Sequence, residues 1–451
     1  MKQWKKWVST ALLGTSLVAV PAGAAMAASA MQTLLYGAAS MVIIKQQLTQ
    51  MDNKQQGQML AATQKKTGVE SSEEYSQRLE AIHQNLVKTG LVKRNYDVYA
   101  NPSKEMNAFE TIGGVISVNK GMMDTLNDSE LAFTLSHEME HGEKRHAING
   151  VMKSIAISTA VDLAFGGNGN VLDILLGSLA VNYIDNEVVT MDQEKEADHL
   201  GFDILKNSQY NVGGAASSMV LVYEKYGELY TEGWKRAIMP NNHPQMSSRI
   251  EKLGQRMTKW SGNRVQVGGA TVYVNALPVL TPVADGDYSS RRRAYLVAGS
   301  LAGLLHGAYG EAVKDDQPQL QREAQPVAAK KDGAVIDKEA LHQQLEQKTP
   351  AAVAANQWQV LQNGSEISVN DTHIITCAAG DDGAAIVSSL NTALQAKPAM
   401  LSKDKISSLN KEWIKKYGYK EKKVDKTAKK ADAKDSTTAE KDKGVVEAVE
   451  G

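Results

Sequence analysis

The chain of 451 residues contains one cysteine, Cys377. A single thiol excludes an intrachain disulfide and any zinc cage built from several cysteines. Nothing near Cys377 resembles a paired base, so a cysteine nucleophile is set aside. Net charge is lacking as well: 50 Lys and Arg against 51 Asp and Glu give −1. That balance gives no argument for a nucleic-acid partner, and none is expected. No apolar stretch has the length of a clean membrane span. What remains is 42% hydrophobic and 22% charged, a soluble composition long enough for two or more domains.

The start of the chain has three parts: Lys2, Lys5 and Lys6, a mostly apolar middle from Val8 to Val20, and the small-x-small end Ala25-Met26-Ala27. These read as a secretory signal over 1–27, cut after Ala27. An uncleaved membrane anchor is the minority reading, kept open by the apolar run from Leu34 to Ile44. The expected location is the bacterial periplasm or the exterior. A helix over Ala30 to Gln56 packs on the domain in the favoured reading and makes peripheral membrane contact in the other.

What the chain does have is His137-Glu138-Met139-Glu140-His141. On a helix, residues four apart share a face, so two imidazoles can meet one ion. Zinc accepts such donors in a tetrahedral shell with one position left for water. Glu138 is then the general base. Asp128 or Ser129 is the expected N-cap, and no Pro or Gly interrupts the segment before Gly142, so a helix is predicted. The bland alternative is a solvated amphipathic face carrying the motif by chance.

Two histidines need a third donor. Glu194-Lys195-Glu196-Ala197-Asp198 lies in a second helical run, Asp192 to Leu205, with Glu194 and Asp198 on one face. Glu194 is the expected ligand. Asp198 is expected to accept a hydrogen bond from the far nitrogen of a ligand histidine, His137 by preference. Glu196 is the rival ligand, and a solvated acidic face is the plain alternative for the cluster. The strand Val115 to Val118, introduced by Gly113-Gly114, precedes the metal helix. If its edge is free, a substrate peptide can add along Gly113, Gly114, Val115 and Ile116; an interior strand is the other reading.

Four ordered pieces resemble the zinc metallopeptidases of the HtpX and CAAX prenyl protease type, most of all their exported bacterial members. They are Asn107-Ala108-Phe109 with Gly113-Gly114, the helix from Leu135 to His141 with His146 behind it, Glu194 to Asp198 with Gly201, and His243-Pro244 with Arg249-Ile250. The resemblance runs from about Ser71 to Leu253. It implies a gluzincin catalytic domain with one Zn2+ on His137, His141 and Glu194. It implies endopeptidase activity on protein or peptide substrates in the cell envelope, as quality control of misfolded or misassembled proteins, with the envelope assembly machinery as a further partner. It also implies that His243 lies near the metal and that Arg249 orders the site or stabilises the oxyanion. Glu140 stands where that family commonly has Gly, and Thr111-Ile112 where it has Leu-Pro. A metal-bearing chaperone or assembly factor that rarely cuts is the rival function.

The fold class expected is α+β and mainly helical. A gluzincin-type domain with a small sheet spans 28–257, and a hairpin and helix extension spans 258–314. In that extension Arg291 to Arg293 read as a solvated helix start. A polar linker over 315–334 leads to a small α/β module at 335–419, with strands near Trp358 and His373 and a helix from Gly380. The charged tail 420–451 is expected to be disordered. Two apolar helices, Val151 to Ala164 and Val171 to Tyr183, are read as core or lid elements.

Overall fold

The computed structural model describes residues 41–150 (except 43, 44 and 47), residue 152, and residues 191–228, 245–312 and 358–419. The expected signal segment, both apolar helices, the linker, the tail and His243 lie outside these. The described residues are mostly helical, with three sheets of three strands each. The chain divides into two compact units, Met1–Thr125 with Leu135–Ile204, and Leu126–Thr134 with Leu205–Gly451. The expected domain edge at 257 falls inside the second unit.

In the first unit, helical residues 48–54 and α1 (Gln56–Thr67) precede α2 (Glu73–Val87). Ser72 caps α2, its hydroxyl accepting from the Tyr75 N–H, and Leu79, Ile82 and Leu86 form its buried stripe. That spacing of three and four residues is what the helix period demands of a half-buried element. The sheet follows: β1 (Asp97–Asn101), β2 (Ala108–Thr111) and β3 (Val115–Asn119).

The segment from Asn107 to Phe109 enters a strand at Ala108. The strand order β1-β3-β2 decides between the two readings of β3. The strand read as a possible free edge is the central one. Val115 and Ile116 pair with β1 on one side, parallel, and with β2 on the other, antiparallel. Strand order depends on pairing partners distant in sequence, which alternation within one strand does not encode. The connection from β2 to β3 needs glycine. Gly113 and Gly114 have φ of 94° and 70°, and a Cβ on Gly114 would stand 2.6 Å from the Asn95 carbonyl oxygen. A short helix, α3 (Lys120–Thr125), leaves the sheet.

The second unit holds α6 (Gly213–Tyr226) and α7 (Met246–Trp260), then β4 (Val265–Gly268), β5 (Thr271–Val274) and β6 (Leu277–Leu280). The expected hairpin is present, with a third strand added. Asn275 and Ala276 take φ of 48° and 65°, the two left-handed residues that a tight two-residue hairpin requires. Alanine seldom occupies such a position, so the turn carries little signal in the letters.

The helix α8 (Ser290–Tyr309) begins with Arg291, Arg292 and Arg293, which are 1%, 0% and 8% exposed. The solvated reading of this triplet is therefore wrong. Arg292 grips Glu130 with Nη2 at 2.7 and 3.0 Å from the two carboxylate oxygens. Arg293 meets Asp381 at 2.9 Å and donates to the carbonyls of Val283 and Thr376. Arg291 lies over the Trp413 ring, 4.7 Å from its centre. Arg292 and Arg293 are buried against carboxylates, as a buried charge requires, whereas Arg291 has Asn410 and the Trp413 ring.

Those partners come largely from the C-terminal region, formed by β7 (Val360–Asn363), β8 (Glu366–Val369), β9 (Thr372–Thr376), α9 (Gly383–Gln395) and α10 (Lys403–Tyr417). Gln266 exchanges two hydrogen bonds with the Leu401 backbone, and the Gly269 N–H donates to Asn410.

Candidate metal centre

The helix carrying the histidines is α4 (Asp128–Glu143). Its N-cap is Asn127, one residue before the expected start. The Asn127 side chain accepts from the Glu130 N–H at 3.0 Å, and Glu130 accepts from the Asn127 N–H at 3.0 Å. That reciprocal pair is a capping box, and it satisfies two of the donors a helix start leaves open. Near the other end, the Tyr96 hydroxyl donates to the Met139 carbonyl at 2.8 Å.

The second helix is α5 (Met191–Lys206). It approaches α4 closely because Gly201 has no side chain. A Cβ there would lie 3.0 Å from the His137 nitrogen and 3.2 Å from the Ser136 carbonyl carbon. This approach brings donors from both helices together. His137 Nε2 and His141 Nε2 are 3.1 Å apart. The Glu194 carboxylate oxygens lie 3.6 Å from His137 Nε2 and 3.7 Å from His141 Nε2. Zinc with donors at about 2.0–2.1 Å in a tetrahedron separates them by about 3.3 Å, so the set fits such an ion. All three residues are buried, between 6% and 8% exposed. His137, His141 and Glu194 are also a group whose donor atoms lie within 4.8 Å of one another.

Asp198, one turn beyond Glu194, brings Oδ1 to 3.1 Å from His137 Nδ1. Glu196 turns elsewhere, pairing with Lys144 at 2.9 Å and approaching His146 Nε2 at 3.4 Å. His146 Nδ1 in turn lies 2.9 Å from His141 Nδ1. Glu138 accepts the Glu110 N–H at 3.0 Å through Oε2. Glu110 sits on β2, one of the two outer strands of its sheet among the described residues. Its own carboxyl is 3% exposed without a hydrogen-bond partner, and burial pushes its pKa well above the usual carboxylate range. Burial likewise pushes Glu140 up to about 7.

Of the other candidates, Arg249 is buried on α7 in the second unit, and His243 is outside the described residues. Gly113, Gly114, Val115 and Ile116 belong to the inner strand and its approach, while β1 and β2 are the outer strands, β2 being the one whose Glu110 N–H meets Glu138. Two neighbours of the site were missed in the sequence: Glu110, and the contact of His146 with His141. The first needed the strand order and the second needed the turn that ends α4.

Residues 73–257 match the profile of Peptidase family M48. The chain carries a Peptidase family M48 domain. Its relatives are of modest identity. The chain is 29% identical over 199 residues to metalloprotease LoiP of Escherichia coli, covering 43% of this chain and 75% of that protein. It is 29% identical over 193 residues to metalloprotease YcaL of the same organism, covering 41% and 71%. A putative beta-barrel assembly-enhancing protease of Vibrio cholerae is 24% identical over 192 residues, covering 40% of this chain and 38% of its own length. Both helices with the converging donors fall inside the M48 domain. The helical residues 48–54 precede it, and the sheet β4-β5-β6 follows it.

Proposed function

We propose that the chain is a zinc-dependent endopeptidase of the bacterial cell envelope, acting on misfolded or misassembled exported proteins. The convergence of two imidazole nitrogens and one carboxylate on a common point carries this reading. The M48 match supports peptide-bond hydrolysis. The names of the relatives, two metalloproteases and a beta-barrel assembly-enhancing protease, support substrates among envelope proteins. Among the described residues no helix is long and apolar enough to cross a membrane.

His137, His141 and Glu194 would hold the ion, and Asp198 would keep the His137 ring in the tautomer that leaves Nε2 free to bind. Bound zinc supplies Lewis acidity and lowers the pKa of a water molecule toward neutrality. Glu138 takes the proton of the attacking water and returns it to the leaving amine. The Glu110 N–H, 3.0 Å from Glu138 Oε2, fixes the direction in which the base points. An extended substrate would add along the outer edge of β2, beside Glu138, by backbone hydrogen bonds. Roles for His243 and Arg249 rest on the family resemblance alone.

The test uses purified protein with an unfolded substrate such as casein, with and without chelator. Glu138→Gln should retain one zinc per chain and lose cleavage by at least about 100-fold, the scale of general-base catalysis. Digestion by this variant at the wild-type rate would overturn the assignment of the base. A wild-type protein that takes up no zinc would overturn the metal centre.

A further inference from the structure

We propose that His146 is a positioning residue for the metal centre, fixing the ring of His141 as Asp198 fixes that of His137. This rests on the metallopeptidase reading above and extends it to the segment preceding the M48 domain, which holds His146 in place.

The tautomers decide the argument. If His141 binds an ion through Nε2, its only ring proton is on Nδ1. That nitrogen is 2.9 Å from His146 Nδ1, which must then accept, so the His146 proton sits on Nε2. His146 Nε2 is 3.4 Å from Glu196 Oε2, an acceptor. One assignment therefore satisfies both ends: His141 donates to His146, and His146 is directed toward Glu196. Glu196 is fixed on its other side by Lys144 at 2.9 Å. Glu196, the rival ligand by sequence, thus has a separate task.

This contact is not given by helical spacing. On an unbroken helix, a residue five positions beyond His141 lies about 140° round the axis, away from the face of the metal. The chain instead reverses at Arg145, whose φ is 54°, a left-handed conformation that a residue with a side chain seldom adopts. The reversal is held from outside. Arg145 Nη2 donates to Asn53 at 2.8 Å, and its Nε lies 3.6 Å from Asp52 Oδ2. Asp52 is 5% exposed, accepting from Arg94 at 2.7 Å and from the Gly113 N–H at 2.8 Å. Residues 52 and 53 precede the matched region 73–257. A segment outside the family domain therefore sets the turn that delivers His146 to His141.

The experiment measures zinc affinity of the full-length protein by competition with a chromophoric chelator, and the ring protons of 15N-histidine-labelled protein by NMR. His146→Ala should weaken zinc binding about 10- to 100-fold, the usual cost of losing such a support. It should also speed solvent exchange of the His141 Nδ1 proton. His146→Asn, which offers a carbonyl oxygen in place of Nδ1, should restore affinity to within about threefold of wild type, a rescue on the acceptor chemistry. Wild-type affinity in a folded His146→Ala protein overturns the proposal. If that variant does not fold, Glu196→Ala decides, with weaker zinc binding in support and unchanged binding against. Failure of the wild-type protein to bind zinc overturns the metallopeptidase reading itself, whereas zinc binding unaffected by these variants overturns only the role of His146.

Discussion

Replacing Gly201 with alanine tests whether the contact between the two ligand helices is what assembles the site. A Cβ at 201 would stand 3.0 Å from the His137 nitrogen, 3.1 Å from its Cα and 3.2 Å from the Ser136 carbonyl carbon. Carbon atoms attract best at about 3.5–4.0 Å, so α5 must retreat by about 0.5 Å. The obstructing atoms are all backbone, and none can swing aside. Asp198 lies three residues before Gly201 and moves with it. Its 3.1 Å contact with His137 Nδ1 would open to about 3.6 Å, beyond a hydrogen bond. Overpacking costs about 1–3 kcal/mol, while exchanging a helical glycine for alanine returns about 1 kcal/mol. The net loss of stability should be about 0–2 kcal/mol, and zinc affinity should fall about tenfold, as when a ligand's hydrogen-bond partner is removed. Urea unfolding of the metal-free protein and zinc titration measure the two separately. A metal-free variant stabilised by about 1 kcal/mol and binding zinc like the wild type would refute the reasoning.

Other outcomes are expected elsewhere. Arg292→Met leaves Glu130 buried without its charge partner and should cost about 3–5 kcal/mol in urea unfolding. Adding Glu130→Gln should return part of that loss, and strictly additive effects would argue against a coupled pair. Asp381 is partly desolvated, which raises its pKa, but the Val283 and Ala378 N–H groups and Arg293 outweigh this and hold it below the usual range. Its contribution is therefore present above about pH 4 and lost as pH falls further. Asp381→Asn should be less stable than wild type at pH 7, with the gap narrowing below pH 4 in thermal melts. Stripping zinc with a chelator should lower the melting midpoint, reversibly. A ligand at a hundred times its Kd contributes about 2.7 kcal/mol, and an unchanged midpoint would argue that the folded state holds no ion.

The parts legible in the sequence were those that depend on local spacing. His137 and His141 share a face because they are four apart, and the same rule put Glu194 and Asp198 together. Joining the two pairs rested on the need of two histidines for a third donor, supported by the ordered motifs, because nothing local connects residue 141 to residue 194. The misplaced edge strand has a related cause: β3 reads as a strand from its own residues, but its neighbours are set by pairing partners elsewhere. The arginine triplet failed differently. Charged residues are almost never buried without partners, and Glu130, Asp381 and Trp413 lie about 90 to 160 residues away. The Asn127 cap is visible as Asn-x-x-Glu, one residue upstream of Asp128. His146 was hidden by the left-handed Arg145, a backbone state that arginine does not announce.

The three buried guanidinium groups of α8 bear on how this protein can be shortened. A chain ended after Tyr309 would lack Asp381 and the Thr376 carbonyl for Arg293, and Trp413 and Asn410 for Arg291. It would be left with stranded cations facing a newly wetted surface. The final sixty or so described residues resemble an appendage when read along the sequence, yet removing them should act like a mutation in the interior. Anyone trimming this protein to its catalytic half should expect insolubility first, and should not mistake it for loss of chemistry.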